Sequence, residues 1–476
     1  MSENEGKVIE GSRGPMESDE SLLKVFQQGS KDNGHWVVDQ YGNTLEIVDE
    51  IARGGQGVVF RTSDADLAIK QPLGPNGRPN RSKNLQAVFA RIRCLPLPEN
   101  LPISLPVSIL KSEPGYVMTL LNEMRPFGSF FVNGEDRDRL SEEPLPDWLQ
   151  AMPSRKEAEE LLFYAQSGST KRRLYALYKC AAILARLHYA GLVYGDVSPS
   201  NAYIGEGEPC DVWLIDADNL RHERINGGQS VSTPRYGAPE VVRSEDASRP
   251  YSDIWAFAVM AFEILALTHP FIGRAVLEPD DDGGGWDSDD WDSDPSEGKP
   301  ADLDDQAYMG FLPFIDDELD DSNEGMSGLP RELVLTPLLR WLYQETLGIG
   351  REKYWRRSAM SLWAMALAQA HDRMLVCPDC GMSYYIDREE CPYCECGRPA
   401  HFLAKTAEWT MVLQVDEAYG EMPLPHRLFN AFSLEHGDDI AYEASIDYKE
   451  RRVKPVRGTS KFPEGITFTF VEGSRS

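Results

Sequence analysis

Asp196, Asn201 and Asp216 have the residue types and the spacing that phosphoryl transfer requires. The first two lie five residues apart in YGDVSPSN, and the third follows in LIDADN after two strand-like segments. One carboxylate can orient or deprotonate an attacking hydroxyl group, while an amide and a second carboxylate hold Mg²⁺ against phosphates. The same residues can also cap the turns of hairpins, but the motifs that accompany them favour the catalytic interpretation.

A glycine-rich turn lies nearer the N-terminus, in ARGGQGVV, and contains Gly54, Gly55 and Gly57. Lys70 follows in LAIK, on the next predicted strand. Glycines allow backbone N–H groups to approach phosphates, and a nearby lysine can neutralise phosphate oxygens. Taken alone, the turn is equally typical of an ordinary hairpin.

A third motif makes the pattern specific. TPRYGAPE ends at Glu240, and SDIWAFAV, which contains Asp253, follows at the start of an apolar helix. The order of glycine-rich loop, strand lysine, catalytic loop, metal-binding aspartate, A-P-E and helix aspartate resembles a eukaryotic-type (Hanks-type) serine/threonine protein kinase. The resemblance extends from about residue 45 to about residue 370.

The resemblance implies a role for each of these residues in binding ATP and divalent metal, Mg²⁺ or Mn²⁺. Asp196 would be the base, Asn201 and Asp216 the metal ligands, and Lys70 the contact to the α- and β-phosphates. Glu240 would pair with Arg356 or Arg357, and Asp253 would brace the catalytic loop. The implied ATP-binding residues are Gly54, Gly55, Gly57, Val59, Lys70, Met118, Thr119 and Leu120, of which the last three belong to the strand that binds adenine.

The chain departs from the family pattern at several positions. Tyr194-Gly195 replaces His-Arg before the base, and Asp216-Ala217-Asp218 replaces D-F-G. The predicted helix 81–93 contains no Glu to pair with Lys70, and Gln86 lies nearest the expected place. These changes favour an alternative, a nucleotide-binding pseudokinase scaffold that recruits partner proteins. A small-molecule phosphotransferase is a further alternative, although such enzymes generally lack the A-P-E segment.

The GDVSPSN and DAD segments also resemble bacterial kinases encoded beside a metal-dependent phosphatase and a von Willebrand A-like protein, the triad associated with tellurite resistance. This resemblance implies protein substrates, a role in bacterial signalling or stress response, and those two proteins as partners.

Two CxxC pairs form the second chemical signal. Cys377 and Cys380 precede Cys391 and Cys394 by ten residues, at the spacing of a zinc ribbon. Four thiolates close a tetrahedral site, which predicts a structural Zn²⁺ ion, with rubredoxin-like iron as the alternative. Cys396 is a fifth thiol that could exchange with Cys394.

Charge and hydropathy exclude other classes of protein. The formal net charge is −29, whereas proteins that bind nucleic acid or anionic lipid need a cationic face. The N-terminus has acidic residues where a signal peptide has a basic start, and no apolar run is long enough to span a membrane. We therefore expect a soluble, cytoplasmic protein.

These patterns predict an α+β protein with a bilobal kinase-like fold, followed by a zinc ribbon and a small β module. The predicted segments are a flexible leader 1–34, a β-rich small lobe 35–124, a helical large lobe 125–372 with an acidic disordered insertion 278–306, the zinc ribbon 373–400 and the β module 401–476.

Overall fold

The computed structural model describes residues 35–54, 57–74, 76–81, 84–111, 113–207, 209–224, 233, 235–278, 303–456 and 461–474. The predicted leader 1–34, Gly55 and most of the predicted acidic insertion lie outside these residues. The chain divides into two compact units. The first unit contains residues up to Leu85 together with Val107–Leu120, and the second unit contains Gln86–Pro106 together with the chain from Leu121 onward.

The first unit is built on a six-stranded sheet with the order β1-β2-β3-β4-β6-β5. Its strands are β1 (His35–Val38), β2 (Thr44–Gly54), β3 (Gly57–Thr62), β4 (Leu67–Pro72), β5 (Pro106–Ile109) and β6 (Tyr116–Thr119). An isolated bridge between Asp39 and Leu110 connects the ends of the outermost strands, so the sheet curls back on itself. Val37, Ile69 and Val117 fill its core, as expected for strands that bury alternate side chains.

The second unit is mainly helical. Its helices are α1 (Leu85–Arg93), α2 (Gly134–Glu142), α3 (Asp147–Gln150), α4 (Arg155–Gln166), α5 (Ser169–Tyr189), α6 (Pro239–Val242), α7 (Pro250–Ala266), α8 (Arg274–Leu277), α9 (Leu303–Tyr308), α10 (Arg331–Val334), α11 (Pro337–Tyr343), α12 (Ile349–Glu352) and α13 (Met360–Asp372). Short 3₁₀ helices span Phe127–Phe130, Ala217–Asn219, Tyr354–Arg356 and His426–Leu428, and a π-helix spans Gln344–Gly348.

Helices α5, α7 and α13 form the centre of this unit. The apolar stripe of α5, which includes Leu174, Leu177 and Leu184, is fully buried, as its helical spacing predicts. Helix α7 is apolar on all sides and almost entirely buried, which is the property of a core helix. No helix in the described parts of the chain is long and apolar enough to cross a membrane.

Two helical regions differ from the sequence-based expectation. The pattern over 333–346 predicts one helix, but a new helix starts at Pro337, with the Thr336 side chain as its N-cap. Proline at the first helical position and threonine before it both favour a helix start. Helix α9 begins at Leu303, inside the segment 278–306 predicted to be disordered, and Ala307 of this helix is buried.

The strands of the second unit form small antiparallel sheets. They are β7 (Met124–Pro126), β8 (Leu192–Val193), β9 (Ala202–Gly205), β10 (Val212–Leu214), β11 (Arg221–His222), β12 (Met374–Val376), β13 (Ser383–Tyr385), β14 (His401–Lys405), β15 (Thr410–Leu413), β16 (Tyr419–Pro425), β17 (Ile440–Asp447), β18 (Arg452–Pro455) and β19 (Thr467–Val471). The sheet orders are β10-β9-β7, β11-β8, β12-β13, β15-β14-β19 and β16-β17-β18.

The C-terminal strands share the core of the helices. Phe402, Leu413 and Leu424 belong to the same buried cluster as residues of α5 and α13, so these strands cover helices. The β module expected over 401–476 stays a prediction. The apolar pattern of RLFNAFSL (427–434) predicts a strand, but this segment starts with a 3₁₀ turn, His426–Leu428, and the preceding strand β16 is the one that pairs with β17.

Candidate active site and thiol cluster

The segment between β8 and β9 is held in place by Asp253, near the start of α7. Its buried carboxylate accepts hydrogen bonds from the backbone N–H groups of Tyr194 and Gly195, both at 2.8 Å. The His188 ring nitrogen Nε2 lies 3.1 Å from the same carboxylate. Gly195 has a φ of +84°, which glycine adopts without strain. Asp253 therefore braces this loop, in the way that the resemblance implies.

Asp196 is buried within the loop and receives two hydrogen bonds from Thr233. The backbone N–H group of Thr233 lies 3.0 Å from Oδ1 of Asp196, and the Thr233 hydroxyl lies 2.7 Å from the same oxygen. Burial raises the pKa of Asp196, the nearby negative charge of Asp216 adds to this effect, and the hydrogen bonds oppose it. A carboxylate with a raised pKa accepts a proton more readily.

Asn201 and Asp216 lie next to Asp196 in the second unit. The Asn201 side-chain amide donates a 2.9 Å hydrogen bond to the backbone carbonyl of Asp196, which fixes its orientation. The backbone carbonyl of Asn201 accepts a hydrogen bond from the backbone N–H group of Ile215 at 2.9 Å. The Tyr194 hydroxyl donates to the backbone carbonyl of Ile215. The structure therefore brings Asp196, Asn201 and Asp216 together around one loop.

Arg91 of helix α1 also contacts this region. Its guanidinium donates a 2.5 Å hydrogen bond to the backbone carbonyl of Asp218. The family pattern predicts a glutamate in this helix, and it does not predict a contact from an arginine. No local pattern could have found the contact, because the two residues are far apart in the sequence and the acceptor is a backbone atom.

Glu240 and Arg357 form the ion pair that the resemblance implies. Two hydrogen bonds of 2.7 and 2.9 Å join the guanidinium to the two carboxylate oxygens, and both side chains are buried. Arg356, the other candidate, instead lies 3.1 Å from Glu345 and is half exposed. The buried pair fixes the A-P-E segment to the part of the chain that precedes α13.

The predicted nucleotide-binding residues of the first unit lie on neighbouring strands. Gly54 pairs with Gly57 where β2 meets β3, and Val59 pairs with Lys70 on β4. A Cβ atom at Gly57 would lie 2.8 Å from the Gln71 carbonyl, so this position requires glycine.

Met118 and Thr119 lie on β6, which pairs with β4, and the N–H group of Leu120 bonds to the Asp66 carbonyl at 2.8 Å. Gly55 lies outside the described residues. The roles of these residues in binding ATP stay predictions.

The four cysteines of the two CxxC pairs converge. Their sulfur atoms all lie within 4.8 Å of one another. The Sγ atoms of Cys377 and Cys394 are 3.5 Å apart, and those of Cys380 and Cys391 are 3.6 Å apart. A tetrahedral metal with sulfur ligands at about 2.3 Å places neighbouring sulfurs about 3.8 Å apart. The donor set and its dimensions therefore fit one metal ion.

Each CxxC pair has the same tight turn. The N–H group of Gly381 bonds to the Cys377 carbonyl at 3.0 Å, and the N–H group of Glu395 bonds to the Cys391 carbonyl at 2.9 Å. Gly381 and Glu395 both have positive φ angles, +73° and +59°. A hydrogen bond from Cys380, together with backbone N–H groups, holds the pKa of Cys391 well below its usual range, which favours a thiolate.

Comparison with known proteins agrees with the geometry of the second unit. Residues 154–281 match the family described as protein kinase domain, a range that includes Asp196, Asn201 and Asp216. The G2-specific protein kinase fin1 of Schizosaccharomyces pombe is 35% identical over 88 residues, which are 18% of this chain and 12% of that protein.

Two further relatives are similar over comparable lengths. A probable cAMP-dependent protein kinase catalytic subunit of Encephalitozoon cuniculi is 32% identical over 115 residues, 24% of this chain and 35% of that protein. The serine/threonine-protein kinase PknL of Mycobacterium tuberculosis is 36% identical over 98 residues, 20% of this chain and 24% of that protein. The chain thus spans between 12% and 35% of the length of these relatives. The matches therefore show similarity to parts of protein kinases.

Proposed function

We propose that this chain is an ATP- and Mg²⁺-dependent serine/threonine protein kinase that transfers the γ-phosphoryl group of ATP to a protein hydroxyl. The observation that carries the proposal is the arrangement of Asp196, a buried carboxylate with a raised pKa, beside Asn201 and Asp216. A hydroxyl that approaches Asp196 can donate its proton to the carboxylate as the phosphoryl group is transferred.

Asn201 and Asp216 have the ligand chemistry that Mg²⁺ prefers. Carboxylate and amide oxygens are hard ligands, and Mg²⁺ is commonly held by one or two such groups together with substrate phosphates. Bound Mg²⁺ would neutralise charge on the phosphates during transfer. The Asn201 amide nitrogen already donates to the Asp196 carbonyl, so its side-chain oxygen is directed away from that bond and can serve as the ligand.

Residues of the first unit would bind the nucleotide. Lys70, a buried residue of β4, would contact the α- and β-phosphates, and the turn with Gly54, Gly55 and Gly57 would cover them. The strand residues Met118, Thr119 and Leu120 would bind adenine, and Val59 would pack beside it.

A bacterial signalling or stress-response role extends this proposal. Its support is the resemblance of the GDVSPSN and DAD segments to the triad kinases and the similarity to a mycobacterial kinase. The corresponding partners would be a metal-dependent phosphatase and a von Willebrand A-like protein, with proteins as substrates.

Phosphoryl transfer tests the proposal directly. Purified wild-type chain is incubated with Mg²⁺ and γ-labelled ATP, alone and with a basic acceptor protein, beside Asp196→Asn and Lys70→Met. We expect label on the wild type or the acceptor. Asp196→Asn should lose about 100-fold or more, the range that removal of a general base produces, and Lys70→Met should also lose activity because it removes the contact to the phosphates.

Binding of labelled ATP without transfer would overturn the kinase proposal and favour the pseudokinase scaffold. Transfer to aminoglycosides or choline in place of proteins would favour the small-molecule phosphotransferase. Both acceptors are therefore included as parallel reactions.

We infer that the four-cysteine cluster binds a structural Zn²⁺ ion. All four ligands come from the chain, so no coordination position is left open for catalysis. The segment between α13 and β14 contributes few residues to a small hydrophobic cluster, among them Leu375 and Tyr384, and this cluster is completed by Val412 of β15. A bound ion would supply the stability that so small a segment lacks.

A further inference from the structure

Helix α1 and the loop that follows it are attached to the strand that leads to Asp216. The N–H group of Ser104 donates to the Leu214 carbonyl at 2.8 Å, and the N–H group of Leu214 donates to the Pro102 carbonyl at 3.0 Å. Arg186 of α5 donates a 2.6 Å hydrogen bond to the Glu99 carbonyl. Segment 86–106 is therefore an integral part of the second unit, although it lies between strands of the first unit in the sequence.

Asp216 has a left-handed backbone conformation, which among residues other than glycine is adopted mainly by asparagine and aspartate. Its φ is +59° and its ψ is +56°, in the left-handed region. A non-glycine residue in this region costs on the order of 1 kcal/mol and persists only when its surroundings hold it. The 3₁₀ turn Ala217–Asn219 follows directly.

Hydrogen bonds hold the chain on both sides of Asp216. On the N-terminal side, the Tyr194 hydroxyl donates to the Ile215 carbonyl. On the C-terminal side, the Arg91 guanidinium donates to the Asp218 carbonyl at 2.5 Å. Both donors are side chains from other elements of the second unit. A charged donor forms a stronger hydrogen bond than a neutral one, so the bond from Arg91 restrains the turn effectively.

We propose that Arg91 is a positioning residue for the metal-binding carboxylate of Asp216. Helix α1 has no glutamate, and in this chain it would act on the metal site through Arg91 and the Asp218 carbonyl. Loss of this hydrogen bond would let the Asp216 turn relax and would weaken metal binding. The inference rests on the proposed role of Asp216 in binding Mg²⁺.

The test compares the full-length wild type with Arg91→Met, Arg91→Lys and Arg93→Met. Arg93 lies on the same helix and is exposed, with its guanidinium over the Phe89 ring at 5.4 Å. Arg93→Met therefore removes the same charge from α1 and keeps the hydrogen bond from Arg91 to the Asp218 carbonyl. Free Mn²⁺ is measured by electron paramagnetic resonance in the presence of ADP, and kcat is measured against Mg²⁺ concentration at saturating ATP. The unfolding temperature of each variant is recorded in parallel.

We expect Arg91→Met to weaken Mn²⁺ binding about tenfold and to raise the Mg²⁺ concentration for half-maximal rate by a similar factor, as loss of supporting groups around metal sites does. Arg91→Lys keeps a charged donor and should recover part of the loss, and Arg93→Met should resemble the wild type.

Equal Mn²⁺ affinities for wild type and Arg91→Met would overturn the inference, and so would a lower unfolding temperature without a change in affinity. Equal losses of Mn²⁺ affinity in Arg91→Met and Arg93→Met would overturn the inference as well. If the wild type binds Mn²⁺–ADP but transfers no phosphoryl group, the kinase proposal fails, and the Mn²⁺ affinities alone decide the role of Arg91.

Discussion

Thr233 donates two hydrogen bonds to one oxygen of Asp196, at 3.0 Å from its backbone and 2.7 Å from its hydroxyl. Both bonds use Oδ1. Burial raises the pKa of Asp196, and the hydrogen bonds to its charged form act in the opposite direction. Thr233 therefore helps to set the pH range in which Asp196 is ionised and can accept a proton.

Replacement of this hydroxyl should shift the pH dependence of the proposed reaction. A general base works when it is deprotonated, so activity falls as the pH drops through its pKa. Thr233→Val removes a bond that favours the ionised form, which raises the pKa of Asp196 further. We expect the acid limb of the kcat/KM profile to move to higher pH, with a rate loss of about tenfold on that limb.

The control for this variant is Thr268→Val, which removes a threonine hydroxyl that contacts Ser327 and not Asp196. A profile for Thr233→Val that overlays the wild-type profile would contradict the role given to Thr233.

The sequence predicted the parts of this site that depend on local spacing. The strands that carry Lys70 and Met118, the helix α5 and the loop with Asp196 all have local patterns, either apolar periodicity or a short motif. Contacts that join distant segments could not be predicted in this way. The bonds from Thr233 to Asp196 and from Arg91 to Asp218 depend on side-chain directions that only the packed structure fixes.

Another limit of sequence reasoning concerns the partner of Glu240. Arg356 and Arg357 are adjacent and equally basic, and the 3₁₀ turn Tyr354–Arg356 determines which of them points inward. Only Arg357 is buried against Glu240. The same limit applies to the C-terminal strands, because their apolar faces are recognisable in the sequence but the helices against which these faces pack are not identified by it.

The two arginines should differ strongly in their contribution to stability. Arg357→Met leaves the Glu240 carboxylate buried without a counter-charge, which costs about 3–5 kcal/mol. Arg356→Met removes a half-exposed ion pair with Glu345 and should cost at most about 1 kcal/mol. Urea unfolding of both variants and the wild type measures the difference. Equal free energies of unfolding for the two variants would contradict the assignment of the buried pair.

A second buried ion pair fastens the C-terminal region to helix α13. Arg427 donates hydrogen bonds of 2.8 Å to each carboxylate oxygen of Asp372, and the Trp409 indole donates a further one at 2.7 Å. Burial alone would raise the pKa of Asp372, but the charge and hydrogen bonds of Arg427 outweigh it and hold that pKa well below its usual range. The pair links two segments that lie 55 residues apart.

Asp372→Asn should therefore destabilise the whole second unit. The substitution removes the buried charge partner of the Arg427 guanidinium, which then keeps only the partly exposed carboxylate of Asp438. We expect a loss of about 3 kcal/mol in the free energy of unfolding at neutral pH. Because the folded-state pKa of Asp372 is lowered, its contribution is complete above the ordinary pKa of aspartate and disappears as the pH falls toward the lowered value.

The difference between wild type and Asp372→Asn should accordingly shrink in acid. Glu472→Gln serves as the control, because Glu472 forms an exposed pair with Arg451. If Asp372→Asn unfolded only residues 401–474 and left the helices intact, the C-terminal strands would be an independent module after all.

We expect cysteines inside and outside the four-cysteine cluster to differ sharply in their effect on metal binding. Cys380→Ser removes one of four converging sulfurs, whereas Cys396→Ser removes a thiol outside that set. We expect the wild type and Cys396→Ser to contain about one zinc ion per chain by elemental analysis. Cys380→Ser should lose the ion and unfold at lower temperature, because a structural ion stabilises only the folded chain.

A chelator should lower the unfolding temperature of the wild type in the same way and leave that of Cys380→Ser unchanged. Iron in place of zinc would identify a rubredoxin-like centre, and a metal-free wild type of undiminished stability would refute a structural metal.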